Sequence, residues 1–191
     1  MEVKQLMMLW QKQSIKEYVM PAGFELRTYR EGDAKGWIIA CTDGLDTGAW
    51  REEDFYSKML NADGIVHEGI FFIVDGRGEI AGTATGMIKP EPAHGYLHMV
   101  SVRPEFRGLG LGRILNTAVL KYLTEYGCTR VTLDTDDHRI PAIKSYLSAG
   151  FRPVLHSPDM VERWKSVMKN TGYKEINTFT EDDNTGPVIT V

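Results

Sequence analysis

The alternation of hydrophobic and polar residues along the chain predicts a protein of mixed strands and helices. Between Leu111 and Leu123 the apolar residues follow the i, i+3, i+4, i+7 series of a helix with one buried stripe. Shorter apolar runs, rich in branched and aromatic residues, are typical of strands. In chain order the pattern predicts strands at 24–29, 68–75, 80–88, 96–102, 129–134 and 152–156, and helices within 31–61 and at 111–123, 141–147 and 160–168. This order indicates an α/β (α+β) fold, in which helices pack on one layer of strands.

Weaker patterns mark the breaks and the two ends of the chain. Two short helices are expected within 31–61, divided at the turn residues Asp43-Gly44 and Thr47-Gly48. Residues 1–20 mix apolar residues with Gln and Lys ahead of Pro21, which predicts an N-terminal helical extension. Residues 157–179 are assigned to a C-terminal helix and 180–191 to a frayed tail. No repeat or linker interrupts the pattern, so 1–191 is expected to form a single domain.

Composition narrows the class of protein. The 191 residues are 42% hydrophobic and 25% charged, which excludes a wholly disordered chain. The formal net charge of −4 argues against nucleic-acid binding as the main activity. Cys41 and Cys128 are expected to be reduced thiols, and the five histidines lack the spacing of metal ligands. Without a signal-peptide pattern or an apolar run near the membrane-spanning length, we expect a cytoplasmic protein that does not bind membranes.

A glycine-rich turn joins the strand at 96–102 to the helix at 111–123. The start of a helix presents backbone N–H groups without partners, and glycines at 108, 110 and 112 would let an anion approach them. No Ser, Thr, Asp or Asn stands at the capping position, and arginines at 103, 107 and 113 add positive charge. The turn is therefore a candidate phosphate site, the alternative being a merely tight strand-to-helix connection.

Two common nucleotide-binding patterns fail on this turn. The dinucleotide fingerprint requires a glycine at its sixth position, and the phosphate loop of nucleoside triphosphatases requires a Gly-Lys-Ser/Thr ending; both are absent. The pattern that fits is R-x-x-G-x-G, filled by Arg107, Gly110 and Gly112 after a strand that contains Val100 and Val102. This arrangement resembles the acetyl-CoA pyrophosphate loop of the GCN5-related N-acetyltransferase (GNAT) superfamily.

A second motif downstream carries the same resemblance. The superfamily pattern N-x-x-A-x-x-x-Y-x-x-x-G-F is matched by Ala142, Tyr146, Gly150 and Phe151, while Arg139 replaces the asparagine. The resemblance covers about residues 24–156. It implies a central, mixed, mostly antiparallel sheet with helices on both faces. It also implies acetyl transfer from acetyl-CoA to a primary amine by direct attack in a ternary complex.

The resemblance further implies which residues bind the cofactor. The backbone of the strand at 100–102 would hold the pantetheine arm as an added strand would, and a main-chain N–H at Met99–Val100 would donate to the developing oxyanion. The guanidinium of Arg139 can still donate a hydrogen bond to the cofactor arm. The implied cofactor-binding residues are Val100, Ser101, Val102, Arg107, Gly108, Leu109, Gly110, Leu111, Gly112, Arg113 and Arg139.

Two side chains are candidates for proton transfer. Tyr146, a phenol with an ordinary pKa of about 10, would remain protonated and assist the leaving thiolate, unless it is only a packed core tyrosine. His98 stands in a Leu-His-x-x-x-Val setting similar to that of arylalkylamine-type members, which implies relay of the amine proton through water. A strand histidine that faces solvent or a helix is the alternative. Glu68, Asp134 and bulk water are the other candidate bases.

The acceptor is left open by the sequence. The helices within 36–60 would line its pocket, with Trp37, Trp50 and Phe55 shaping it. The acidic residues at 52–54 either attract a cationic amine or form a solvated helix start. Small amines, amino acids, antibiotics, peptide N termini and lysine side chains all remain candidates. A non-catalytic acyl-CoA-binding sensor is the alternative function, and a homodimer is compatible with the implied fold.

Overall fold

A sheet of eight strands forms the centre of the computed structural model, which describes residues 4–45 and 48–191. The strands of this sheet are β1 (Leu6–Gln11), β2 (Phe24–Thr28), β3 (Ile70–Asp75), β4 (Ile80–Ile88), β5 (His94–Val102), β6 (Arg130–Thr135), β7 (Arg152–Leu155) and β9 (Phe179–Thr180). Two further strands, β8 (Glu175–Ile176) and β10 (Ile189–Thr190), form a separate small sheet. The helices are α1 (Ala34–Leu45), α2 (Glu52–Phe55), α3 (Leu111–Glu125), α4 (Ile140–Ser148) and α5 (Met160–Thr171). A π-helical turn spans Tyr56–Leu60, and 3-10 turns span His67–Gly69 and Pro104–Phe106.

The order of strands in the sheet is β2-β3-β4-β5-β6-β1-β7-β9. Neighbours are antiparallel except for the β5–β6 and β7–β9 pairs. The mixed, mostly antiparallel sheet expected from the resemblance is confirmed. Each predicted strand between 24 and 156, and each predicted helix between 111 and 156, is present with ends that differ by at most two residues. The predicted break at Asp43-Gly44 is wrong, because α1 continues through both residues to Leu45. Thr47, part of the second predicted break, lies outside the described residues.

Helices cover both faces of the sheet and define two cores. On one face, α1 and α2 bury Trp37 and Phe55 against Phe72 of β3. On the other face, α3, α4 and α5 bury Leu115 and Trp164 in a larger cluster with β1, β5 and β6. Burial of this much apolar side-chain surface is the main source of stability for such a layered fold.

The predicted N-terminal helix over 1–20 is wrong where the structure describes it. Residues 6–11 form β1, which lies inside the sheet between β6 and β7, and residues 1–3 lie outside the described residues. Trp10 and Leu9 are both fully buried although they point to opposite faces. A strand that is buried on both faces has a continuous apolar run instead of an alternating one, and such a run cannot be distinguished from a helix by its period.

The predicted C-terminal helix ends earlier than assigned, and the predicted frayed tail is wrong. Helix α5 ends at Thr171 before Gly172, whose φ of +85° favours glycine, and 175–180 contain β8 and β9. Ile189 of β10 pairs with Ile176 of β8, and both are buried. Asp183 forms an ion pair of 2.9 Å with Arg130 of β6. The last residues thus pack on the domain through contacts between distant parts of the sequence.

Two other classes of site are absent from the described residues. No helix there is long and apolar enough to cross a membrane. In the same residues no group of three or more His, Cys, Asp or Glu side chains is assembled for a metal ion. Cys41 and Cys128 are free thiols in the cores, and burial raises the pKa of each.

Candidate active site

Two neighbouring strands separate in the middle of the sheet. The parallel ladder between β5 and β6 extends only from His94 to Tyr96, whereas β5 continues alone on that side to Val102. Met99 has a φ of +51°, and the register of β5 against β4 shifts at this point. A non-glycine residue in the left-handed region marks a β-bulge that bends the strand. Past Tyr96, β5 therefore offers an open edge inside the sheet.

The turn between β5 and α3 carries a row of backbone donors. Among the described residues, the N–H groups of 108–112 have no hydrogen-bond partner. The first backbone donor of the helix is Arg113, whose nitrogen lies 3.0 Å from the carbonyl oxygen of Gly110. Gly110, the N-cap, has a φ of +81°, and Gly108 one of +82°. A Cβ built on either glycine meets no atom within 4 Å. Open space in front of five adjacent N–H groups suits a phosphate group.

Two arginines brace this turn. Arg107 donates from Nε to the carbonyl of Val102 (3.3 Å) and from Nη2 to that of Gly44 in α1 (3.4 Å). Arg103 forms an ion pair with Glu105 (2.5 Å). The motif arginine therefore fixes the turn against the strand and α1, and much of the charge of Arg103 is already balanced.

The other two basic residues assigned to the cofactor lie on helices. The guanidinium of Arg113 stacks over the ring of Tyr18, 5.8 Å from its centroid. Arg139 is the N-cap of α4 and lies 3.4 Å from the carboxylate of Asp136. A Cβ at Gly112 would lie 3.6 Å from Ser145 Oγ, an ordinary van der Waals contact, so the packing of α3 on α4 does not require a glycine there.

Tyr146 extends from α4 toward the separated strands. Its side chain is 6% exposed, and its ring packs edge-on against Phe151. Burial raises its pKa to about 12, opposed by the nearby charge of Arg139. Its hydroxyl makes no hydrogen bond within the described part of the chain. It lies close enough to Tyr96 for a charge on it to raise the pKa of Tyr96.

His98 and Tyr96 form a polar group on the opened part of β5. The Tyr96 hydroxyl donates to Oδ2 of Asp134 on β6 (3.1 Å), and the Tyr96 ring lies 5.9 Å from the His98 ring. Burial lowers the pKa of His98 to about 4, with the ammonium groups of Lys89 and Lys58 acting in the same direction. The nearby backbone of Lys58, in the π-helical turn, opposes that effect. His98 is therefore neutral near pH 7, and it lies beside that turn.

Comparison with known proteins identifies the family. Residues 9–151 match the model of the acetyltransferase (GNAT) family. The chain belongs to the GNAT family. The mycothiol acetyltransferase of Thermomonospora curvata is 31% identical over 146 residues, which cover 74% of this chain and 48% of that protein. The mycothiol acetyltransferase of Thermobifida fusca is 34% identical over 141 residues, which cover 66% of this chain and 43% of that protein. The chain thus spans about half the length of these curated relatives.

Solved structures confirm the GNAT fold. A GCN5-related N-acetyltransferase from Sphaerobacter thermophilus matches with a TM-score of 0.66 and 23% identity, covering 79% of this chain and 49% of that one. The ribosomal-protein-S18-alanine N-acetyltransferase from Escherichia coli matches with a TM-score of 0.56 and 20% identity. The match covers 66% of this chain and 76% of that one. At these identities the likeness shows the fold alone.

The candidate site brings some sequence-predicted residues together and leaves others apart. His98, Tyr146 and Asp134 meet around Tyr96, whereas Glu68 is exposed on a 3-10 turn beside the C-terminal half of α3. The backbone of 100–102 lies on the open edge of β5. The side chain of Ser101 points away from that edge and donates to the carbonyl of Ala40.

The residues predicted to line the acceptor pocket mainly pack in the core or begin helix α2. Trp37 and Phe55 are fully buried, with ring centroids 5.3 Å apart. Glu52 and Glu53 are exposed in the first turn of α2. Asp54 caps α2 by accepting the N–H of Arg51 at 3.0 Å. These acids form a solvated helix start, which is the second of the two interpretations of the sequence.

Sequence reasoning missed two residues of the site, Tyr96 and Lys89. Tyr96 stands two positions before His98, so strand alternation places both side chains on one face, and this signal was available. Lys89 follows β4, and its Nζ lies 5.4 Å from the centroid of the Tyr96 ring. No local pattern indicates this contact, because it depends on the pairing of β4 with β5.

Proposed function

We propose that the chain transfers an acetyl group from acetyl-CoA to a primary amine by direct attack in a ternary complex. The observation that carries this proposal is the row of unpartnered N–H groups at 108–112 beside the open edge of β5 and the unbonded Tyr146 hydroxyl. A sensor that only bound acyl-CoA would need the turn and the edge. It would not need a hydroxyl placed at the opening without a protein partner in the described residues, where a ligand can reach it.

The chain offers groups that fit each part of acetyl-CoA. The N–H groups at 108–112 would hold the diphosphate, with glycines at 108 and 110 leaving the approach open. The free backbone groups of β5 at 99–102 would bind the pantetheine arm as a neighbouring strand does. The bulge at Met99 turns backbone N–H groups away from the ladder with β4, and one of them would donate to the thioester oxygen.

In the proposed reaction the amine nitrogen attacks the thioester carbonyl carbon. The N–C bond forms, the C–S bond breaks, and the amine loses a proton. His98, neutral near pH 7, accepts that proton through water and releases it to solvent. Because its pKa of about 4 is low, His98 acts as a relay and does not retain the proton. Asp134, bonded to Tyr96, is the other proton acceptor beside the site.

Tyr146 assists the departure of the sulfur. With a pKa of about 12 the phenol stays protonated over the whole physiological range. Since a thiol has a pKa of about 8.5, Tyr146 donates a hydrogen bond to the developing thiolate and keeps its proton. The thiolate then takes its proton from solvent. This role depends on the hydroxyl alone, because a phenylalanine would fill the same apolar site against Phe151.

The proposal is tested by binding and by turnover. Calorimetry is expected to show binding of acetyl-CoA and CoA but not of NAD or ATP, and a thiol-release assay to show turnover with a member of an amine library. Tyr146→Phe should leave the affinity for CoA nearly unchanged and lower turnover at least about tenfold. Tyr126→Phe, at an exposed position near the end of α3, is the matched control and should behave like wild type.

Two outcomes would contradict the proposal. Acetyl-CoA binding without acetylation of any amine would favour the sensor. Turnover of Tyr146→Phe at the wild-type rate would remove the role of the hydroxyl.

A further inference from the structure

A positive charge without a direct ion-pair partner in the described residues borders the side of the site where His98 lies. Lys89, just after β4, is partly buried and places its Nζ 5.4 Å from the centroid of the Tyr96 ring. In the described residues no carboxylate lies within ion-pair distance of it. Glu91, two residues further on, contacts His94 at 3.3 Å and feels the charge of Lys89 only from a greater distance. A partly buried ammonium without an ion-pair partner favours the binding of an anion.

A second lysine acts on the same place. Lys58 lies in the π-helical turn, beside His98. Its Nζ is 3.7 Å from Asp54 and 5.7 Å from the centroid of the Trp50 ring. Its charge is thus partly balanced, but it still acts on His98 in the same direction as Lys89. The positive charges of Lys89 and Lys58 make the surroundings of His98 unfavourable for an acceptor with a second positive charge.

Asp134 adds a negative charge beside the same tyrosine. It accepts the Tyr96 hydroxyl at 3.1 Å, while Lys89 lies against the Tyr96 ring. A carboxylate at the hydroxyl end of the side chain and an ammonium over its ring thus place opposite charges around Tyr96. Complementary charges of this kind determine which ligand is accepted and how it is oriented.

We infer that the amine acceptor carries a carboxylate beside the amine that is acetylated, as an α-amino acid does. Its amine lies toward Asp134 and His98, and its carboxylate lies toward Lys89, with Lys58 adding to the attraction. This inference rests on the proposed acetyl transfer and names the substrate class of the same site. Lys89 is a specificity-determining residue that touches the acceptor but takes no part in bond making.

The test compares amino acids with their primary amides, which keep the amine and the side chain and lose the negative charge. kcat/KM is measured for L-amino acids and for the matching amides at saturating acetyl-CoA. The ratio of the two values is then compared between wild type and variants, so that the different amine pKa values of acid and amide cancel. The affinity for acetyl-CoA is measured by calorimetry in each protein.

Wild type should prefer the amino acid, and Lys89→Met should reduce the acid-to-amide ratio about fivefold or more. Lys89→Arg should retain the preference, and acetyl-CoA affinity should be unchanged in both variants. Lys165→Met is the matched control. It makes the same substitution at a lysine of α5 that forms an exposed ion pair with Glu162. It should keep the wild-type ratio.

The outcomes separate the inference from the proposal beneath it. Equal use of acids and amides, or an unchanged ratio in Lys89→Met, overturns the inference while acetyl transfer stands. Absence of acetylation with every amine, in a protein that binds acetyl-CoA, overturns both.

Discussion

Because the pKa of His98 is lowered in the folded protein, this side chain makes the fold less stable as the solution becomes acidic. Above pH 6.5 the histidine is neutral in both the folded and the unfolded chain, so it contributes nothing to the pH dependence. Between pH 6.5 and about 4 the unfolded chain takes up a proton that the folded site resists. Stability is therefore lost as the pH falls through this window, and the loss is complete below about 4.

The size of this loss follows from the change in the pKa. A fall from 6.5 to about 4 corresponds to about 3 kcal/mol, at about 1.4 kcal/mol for each tenfold change in proton affinity. Burial of the ring among Tyr96, the π-helical turn and the two lysines is the cause, so removing the ring should remove the effect. At pH 4.5, slightly inside the window, most of the loss should already be present.

Urea denaturation at pH 7.5 and pH 4.5 measures this effect. The change in the free energy of unfolding between the two pH values should be smaller in His98→Gln than in wild type, by about 2–3 kcal/mol. Any loss of packing in the variant applies at both pH values and cancels. His138→Gln, at an exposed position, is the control and should show the wild-type dependence. Equal pH dependence in His98→Gln and wild type would refute the burial argument and, with it, the account of His98 as a neutral relay.

Two further predictions concern the turn and the N-terminal strand. Gly110→Ala should lower the free energy of unfolding by about 1 kcal/mol, because its φ of +81° strains any residue with a Cβ, and should also weaken acetyl-CoA binding in calorimetry. Gly127→Ala, at φ +91° after α3, should cost similar stability without changing that affinity. Trp10→Ala should destabilise the protein by about 3–5 kcal/mol in urea, since the ring is fully buried, whereas Val19→Ala, 93% exposed, should change stability by less than about 0.5 kcal/mol.

The sequence predicts the middle of the fold because the signals there are local. Between 24 and 156 each element shows its own period and its own breaker, such as Gly127 after α3 and Gly150 after α4, both at positive φ. The two ends lack such signals. β1 is buried on both faces, and β10 is ordered by pairing with a strand that precedes it by 13 residues. Pairing between distant segments leaves no periodic trace in either of them.

The candidate site divides in the same way. The glycine turn is a local motif that the sequence shows in full, and the five free N–H groups are found there. The contacts of Tyr96 with Asp134, His98 and Lys89 join β5 to β6 and to the end of β4, so only the assembled sheet reveals them. The positive φ of Met99 has no sequence signal, since a methionine is an uncommon residue for that conformation.

The N-terminal strand has a direct part in holding the site. Once β5 leaves β6 after Tyr96, residues 133–135 of β6 keep a neighbour on one side only, and that neighbour is β1. Met7 stands opposite Asp134 in this ladder. The backbone hydrogen bonds of β1 hold this part of β6 from the side away from the opening, while the backbone groups of β6 that face the opening have no strand partner among the described residues. A carboxylate that must meet Tyr96 across the opening needs such a fixed strand behind it. The opening of the sheet and the insertion of β1 therefore meet at the same part of β6, and residues that the sequence predicts to be helical hold the strand that carries Asp134.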